Sequence, residues 1–110
     1  MRHPILLAAT TAAALLAAAA AGAQEHGQAR RGLALAQMRC AACHAVDATP
    51  RRSPRLDAPA FATIAATPGM TATALLASLQ TSHQTMPDLI LEPDDMADVI
   101  AHILSLGTGR

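Results

Sequence analysis

The chain has no Trp, no Tyr and no Lys, and Phe61 is its one aromatic residue. Aromatic side chains bury the most area per residue. Without them, a core made only of this chain's own side chains is short of volume, and a domain this small is marginal even with an ordinary core. All eight basic residues are arginine, and eight acidic residues cancel them. No basic run is interleaved with aromatics, which argues against a nucleic-acid surface. Cysteine is equally scarce, with two residues in all. That is too few for a zinc site closed by cysteines, and the histidines are scattered.

The two cysteines stand together, in Cys40-Ala41-Ala42-Cys43-His44. If the segment is helical, Cys40, Cys43 and His44 share one face, because spacings of three and four return to the same side. Two thiols and one imidazole so placed suit a haem. The thiols reach the two vinyl groups along one edge, and the imidazole projects beneath the iron. The spacing reads as covalent haem attachment, with His44 as the proximal axial ligand. A thioredoxin-like redox pair needs a preceding strand and alternating strands and helices, and no such pattern is visible. A disulfide across two residues closes too small a loop to stabilise much. A haem would also supply the flat apolar volume that the aromatic-poor core lacks.

The first residues read as an export signal. Arg2 and His3 make a short basic start, Ile5 to Ala20 is apolar and uncharged, and Ala21-Gly22-Ala23 is a small-x-small cleavage site. The expectation is a signal peptide over residues 1–23 and one domain over 24–110, with a periplasmic location. An uncleaved membrane anchor is the alternative.

The rest of the chain reads as helices joined by loops. Gln28 to Met38 is rich in helix formers. Leu33, Ala34, Gln37 and Met38 are expected on its inner face. Gly32 inside this helix costs about 1 kcal/mol relative to alanine, which close approach of another helix would explain; a tolerated surface glycine is the alternative. Ala45 to Pro59 is a loop broken by Pro50, Pro54 and Pro59. Arg51, Arg52 and Arg55 in it suit haem propionates or a docking partner, or are simply solvated. A backbone carbonyl of this loop, with Pro54 the candidate, is expected to accept the Nδ1–H of His44. Pro59 to Ala66 is a short helix that offers Phe61 to the haem or to the core. Thr71 to Thr81 is a helix with Thr71 as N-cap and a stripe of Leu75, Leu76 and Leu79. Glu92 to Leu106 is the strongest helix. Pro93 suits its first position, and Asp94 and Asp95 favour its positive end. Met96, Val99, Ile100, Ile103 and Leu104 form its stripe, with His102 off centre and partly exposed. Met38 and Met96 are expected in the core.

Met86-Pro87 is the second chemical signal. Proline extends the residue before it, so the Met86 thioether is free to project from a loop. A soft sulfur suits the sixth position of a haem iron and raises its potential relative to a second histidine. His83 in the same loop is the rival ligand, Met70 is a further one although it sits at the mouth of a helix, and a core methionine is the non-ligand reading.

With these residues in place, the chain resembles a class I c-type cytochrome, of the short bacterial periplasmic kind. The likeness rests on Cys40-Ala41-Ala42-Cys43-His44, Ser53-Pro54-Arg55-Leu56, Ala58-Pro59-Ala60-Phe61, Thr85-Met86-Pro87 and the helix from Asp94 to Leu106. It implies a small all-α fold wrapped around one covalent haem c, with Cys40, Cys43, His44, Pro54, Phe61 and Met86 at the cofactor and iron bound by His44 and Met86. It implies an electron carrier and not an enzyme, a monomer serving redox partner proteins such as a periplasmic dehydrogenase, reductase or oxidase. A haem-based ligand sensor, or a haem subunit of a dehydrogenase, is the alternative. The sequence departs from the family in four ways. His102 stands where an aromatic usually packs on the first helix, Ser53 replaces a glycine, no Trp or Tyr is present to bond a propionate, and the lysine ring for docking is absent.

Overall fold

The computed structural model describes residues 27–49, 51–83 and 85–107. The expected signal peptide, residues 1–23, lies outside them. The described chain is all helical: α1 (Ala29–Arg39), α2 (Phe61–Ala65), α3 (Ala72–Leu79) and α4 (Pro93–Ser105). None of these helices is long and apolar enough to cross a membrane. Each expected helix is present: α2, α3 and α4 are shorter by a residue or more at each end, as fraying ends usually are, and α1 is shifted by one residue, running on to Arg39.

The fold is organised on α4. It opens with Pro93 at its start and Asp94 and Asp95 in its first turn, where a missing N–H is harmless and negative charge meets the helix dipole. Met96, Val99, Ile100 and Ile103 are buried along it, as the periodicity predicts. The other three helices each pack on α4 and not on one another.

The α1–α4 crossing depends on Gly32. A Cβ built there would lie 2.5 Å from the carbonyl carbon of Asp98 and 2.9 Å from Cβ of His102, with the Asp98 carbonyl oxygen closer still. Only a residue without a Cβ permits this approach. Close approach also decides which face of α1 turns inward. Gly32, Ala36 and Cys40, each four apart, are buried. This corrects the expected inner face: Ala34 and Gln37 are exposed, Met38 is 75% exposed, and only Leu33 is partly covered. Small residues line the seam because two backbones meet there, and the larger apolar ones are displaced outward.

The same closeness buries two polar side chains of α4. Asp98 and His102 are each 4% exposed. Gln28, at the N-cap of α1, gives no side-chain cap. Its backbone N–H instead donates to Asp98 Oδ1 at 2.6 Å, and Arg31 Nε lies 3.2 Å from Asp98 Oδ2. A buried carboxylate is tolerable when it is paired and hydrogen-bonded in this way. His102, expected to be partly exposed, is instead a core residue, because Gly32 lets α1 close over it.

At the start of α3, Thr71 is the N-cap as predicted, its hydroxyl accepting from Ala74 N–H at 3.1 Å. Leu75 is buried and Leu79 half-buried, while Leu76 is on the surface.

Candidate functional site: a thiol and imidazole cavity

The end of α1 builds the first wall. Cys40 caps the helix, its N–H donating to Ala36 O at 2.8 Å. The chain then makes one more turn, with Cys43 N–H and His44 N–H both directed to Cys40 O at 3.1 and 2.9 Å. That turn keeps Cys40, Cys43 and His44 along one cavity wall. Both thiols are free. Burial pushes the Cys40 thiol above its ordinary pKa, with Arg39 opposing and Cys43 adding to the rise.

The loop after His44 is stitched back onto it. Ala45 N–H donates to Ser53 Oγ at 3.1 Å, Arg55 N–H to Cys43 O at 3.2 Å, and Phe61 N–H to Ala45 O at 2.9 Å. The serine that stands in place of the family's glycine thus closes one of these links. The His44 Nδ1 lies 2.6 Å from a carbonyl in this loop, but the carbonyl belongs to Pro59. The expectation of Pro54 is corrected here. Pro54 is exposed and does not line the cavity. The chain turns after it, with Ala58 N–H donating to Arg55 O at 3.2 Å, and this turn brings Pro59 to the imidazole. A carbonyl only accepts, so Nδ1 carries the proton and Nε2 keeps its lone pair for a metal.

Phe61 is buried and tilted 50° to the His44 ring, with centroids 5.5 Å apart. On its other side it meets His102 at 6.2 Å and 52°. The single aromatic residue therefore serves both the cavity and the core.

The cavity measures ≈ 390 Å³, within the ~300–1,000 Å³ typical of ligand sites. Besides the thiols, His44 and Phe61, its lining includes Leu75 and Leu79 of α3 and Met86-Pro87 of the following loop. Met70 and His83 line it too, so three candidate sixth ligands border one space. Of the arginines, Arg39 and Arg55 reach it and Arg51 and Arg52 do not. Arg55 is held by Asp57 through two bonds of 3.0 Å, and Arg51 is paired with Asp47. The Arg55 guanidinium, with help from the Thr85 hydroxyl, holds the Asp57 carboxyl below the usual carboxylate range.

These walls fit a haem. They are largely apolar, carry two free thiols three residues apart, and offer an imidazole with its outer nitrogen already satisfied. No group of three or more His, Cys, Asp or Glu among the described residues is gathered for a bare metal ion. A macrocycle that brings its own four nitrogens needs only axial donors from the protein.

Sequence reasoning missed Pro59, Asp98 and the burial of His102. Asp98 had a legible signal: α1 begins without a capping side chain of its own, so its first N–H groups need an acceptor from elsewhere. The other two depend on how the loop turns and how closely two helices cross.

No curated protein and no solved structure matches the chain. Among protein families, the Cytochrome c family matches residues 29–107. With the Cys40 and Cys43 pair on the cavity wall, the cofactor is a haem c held covalently through those two residues. The chain belongs to the cytochrome c family, whose members carry haem and transfer electrons.

Proposed function

We propose that this protein is a periplasmic electron carrier whose haem iron is bound axially by His44 and Met86. The observation that carries the reading is the 2.6 Å contact between His44 Nδ1 and Pro59 O. It leaves Nε2 as the one nitrogen of that ring able to ligate, and it raises the ligand's basicity. Met86 supports the sixth position because it lines the same cavity and precedes Pro87. Cys40 and Cys43 would hold the haem through thioether bonds formed by adding their S–H groups to its two vinyl groups. Phe61, Leu75 and Leu79 keep water from its faces.

When bound, the iron supplies one-electron exchange between its ferrous and ferric states. The chain's own task is to hold both axial donors through that exchange. With both positions filled, no substrate site remains, so the activity is transfer to and from redox partner proteins, not catalysis. The amino-terminal segment supports export, where haem is attached.

An absorption spectrum and intact mass of the exported protein test this reading. Covalent haem should survive acid-acetone extraction. The weak red band of methionine-to-ferric-haem ligation should be present and should vanish in Met86→Ala, with the haem retained, the spin state changed and the potential lowered. An unchanged spectrum in Met86→Ala moves the ligand to His83 or Met70. A wild-type spectrum without that band points to an open-site ligand binder if the haem is high-spin, and to His83 as the sixth ligand if it is low-spin.

A further inference from the structure

We propose that His102 is a positioning residue for the His44 ligand, acting through the Val46 carbonyl and the Phe61 ring. The inference rests on the reading of His44 as axial ligand. His102 Nε2 lies 2.6 Å from Val46 O. The carbonyl only accepts, so Nε2–H is the donor. Val46 is itself buried and follows His44 by two residues. The His102 ring is held on its other sides as well. Phe61 lies against it at 6.2 Å, and α1 closes over its Cβ at Gly32.

A core residue of this size does not require a polar ring. A buried imidazole is unfavourable unless its N–H is bonded, and here the bond is spent on the segment carrying His44. That segment and the one carrying Pro59 and Phe61 must keep their places for the His44–Pro59 hydrogen bond to form. They are joined to each other by the Phe61 N–H to Ala45 O bond of 2.9 Å. The bond to Val46 ties the pair to α4, the helix on which every other described helix packs. His102 thereby sets both the plane of the His44 ring and the strength of its outer hydrogen bond. Loosening that bond makes the ligand less basic, which disfavours the ferric state and raises the potential.

The test uses the haem-loaded protein. His102→Phe keeps a ring between Phe61 and Gly32 and deletes the N–H. His102→Gln restores an N–H at similar reach. The readouts are the reduction potential and the paramagnetic proton shifts of the haem methyls, which follow the plane of the axial imidazole. The expected result is a higher potential and reordered methyl shifts in His102→Phe, both returning toward wild type in His102→Gln. A lower melting temperature with neither readout moved, or no return in His102→Gln, overturns the proposal. Should His102→Phe fail to load haem, the wild-type protein still decides. Its His102 should show a slowly exchanging Nε2–H by nitrogen-15 NMR, and an Nδ1–H tautomer or rapid exchange overturns the proposal. His44→Ala separates the two readings: a low-spin spectrum surviving that change removes His44 as ligand, whatever His102 does.

Discussion

Replacing Gly32 by alanine tests the crossing on which the fold depends. The new methyl would lie 2.5 Å from the Asp98 carbonyl carbon and 2.9 Å from Cβ of His102. Comfortable carbon contacts begin at about 3.5 Å, so the helices must part by roughly 1 Å. The obstruction is backbone and a Cβ, not the free end of a side chain, so no rotamer change relieves it. Parting the helices loosens Ala36, Val99 and Ile103, which are among the most deeply buried residues. Overpacking of this kind costs about 3 kcal/mol at the upper end of its usual range, and alanine's helix preference returns about 1 kcal/mol. The expected net loss is about 2 kcal/mol, or roughly 8–16 °C of melting temperature for a domain this small. Thermal unfolding of the haem-loaded protein by far-ultraviolet circular dichroism reads it. Gly69→Ala is the control. Gly69 has φ of 76° with nothing within 4 Å of a built Cβ, so the change brings backbone strain of about 1–2 kcal/mol without a clash. If Gly32→Ala melts at or above the wild-type temperature, the helices do not cross as closely as described.

Two further perturbations test other parts of the structure. Thr71→Ala should lower stability by about 1 kcal/mol by removing the α3 cap, read as a lower denaturant midpoint with unchanged slope; Thr71→Ser should restore it. Asp57 is predicted to contribute stability that depends on acid. Its folded-state pKa is depressed by Arg55 and then Thr85, so the contribution is complete above the unfolded value of about 3.9 and disappears as pH falls through the lower folded value. The denaturant midpoints of wild type and Asp57→Asn should therefore differ above about pH 4 and converge below it. The gap should be small and should shrink with salt, because the pair is exposed. A gap that persists unchanged at the acid end contradicts the assignment.

The parts of the site that were legible in the sequence are those decided by short spacing. Cys40, Cys43 and His44 lie within one turn of chain, so their common wall follows from local geometry alone. Thr71 and Pro93 act on their own helices and were legible for the same reason. Pro54 shows the limit. A proline in the right loop pointed to the correct kind of acceptor, but which carbonyl arrives depends on a turn made by Arg55 to Ala58. Met38 and His102 show a second limit. Hydropathy placed the methionine inside and the histidine partly outside, and the closeness of two backbones at Gly32 reversed both. Periodicity identifies the face of a helix that meets solvent-excluded space, but it carries no information on how near the partner stands.

The scarcity of aromatics and the shape of the helix packing have one physical cause. The helices α1, α2 and α3 each rest on α4, and no other pair of the described helices meets. In a chain closed by its own side chains, the inner faces of α2 and α3 would pack on α1 or on each other. Instead Phe61 and Ile64 of α2, Leu75 and Leu79 of α3, and the thiols at the end of α1 all border one cavity. Large aromatic residues at those positions would fill that space and give the domain a core of its own. The chain keeps smaller side chains there, leaving α2 and α3 with apolar surface that only a flat group inserted between them can cover. The haem is thus both the redox centre and the largest member of the core. Covalent attachment follows as a structural need, because a domain whose packing is completed by its cofactor loses that packing whenever the cofactor dissociates.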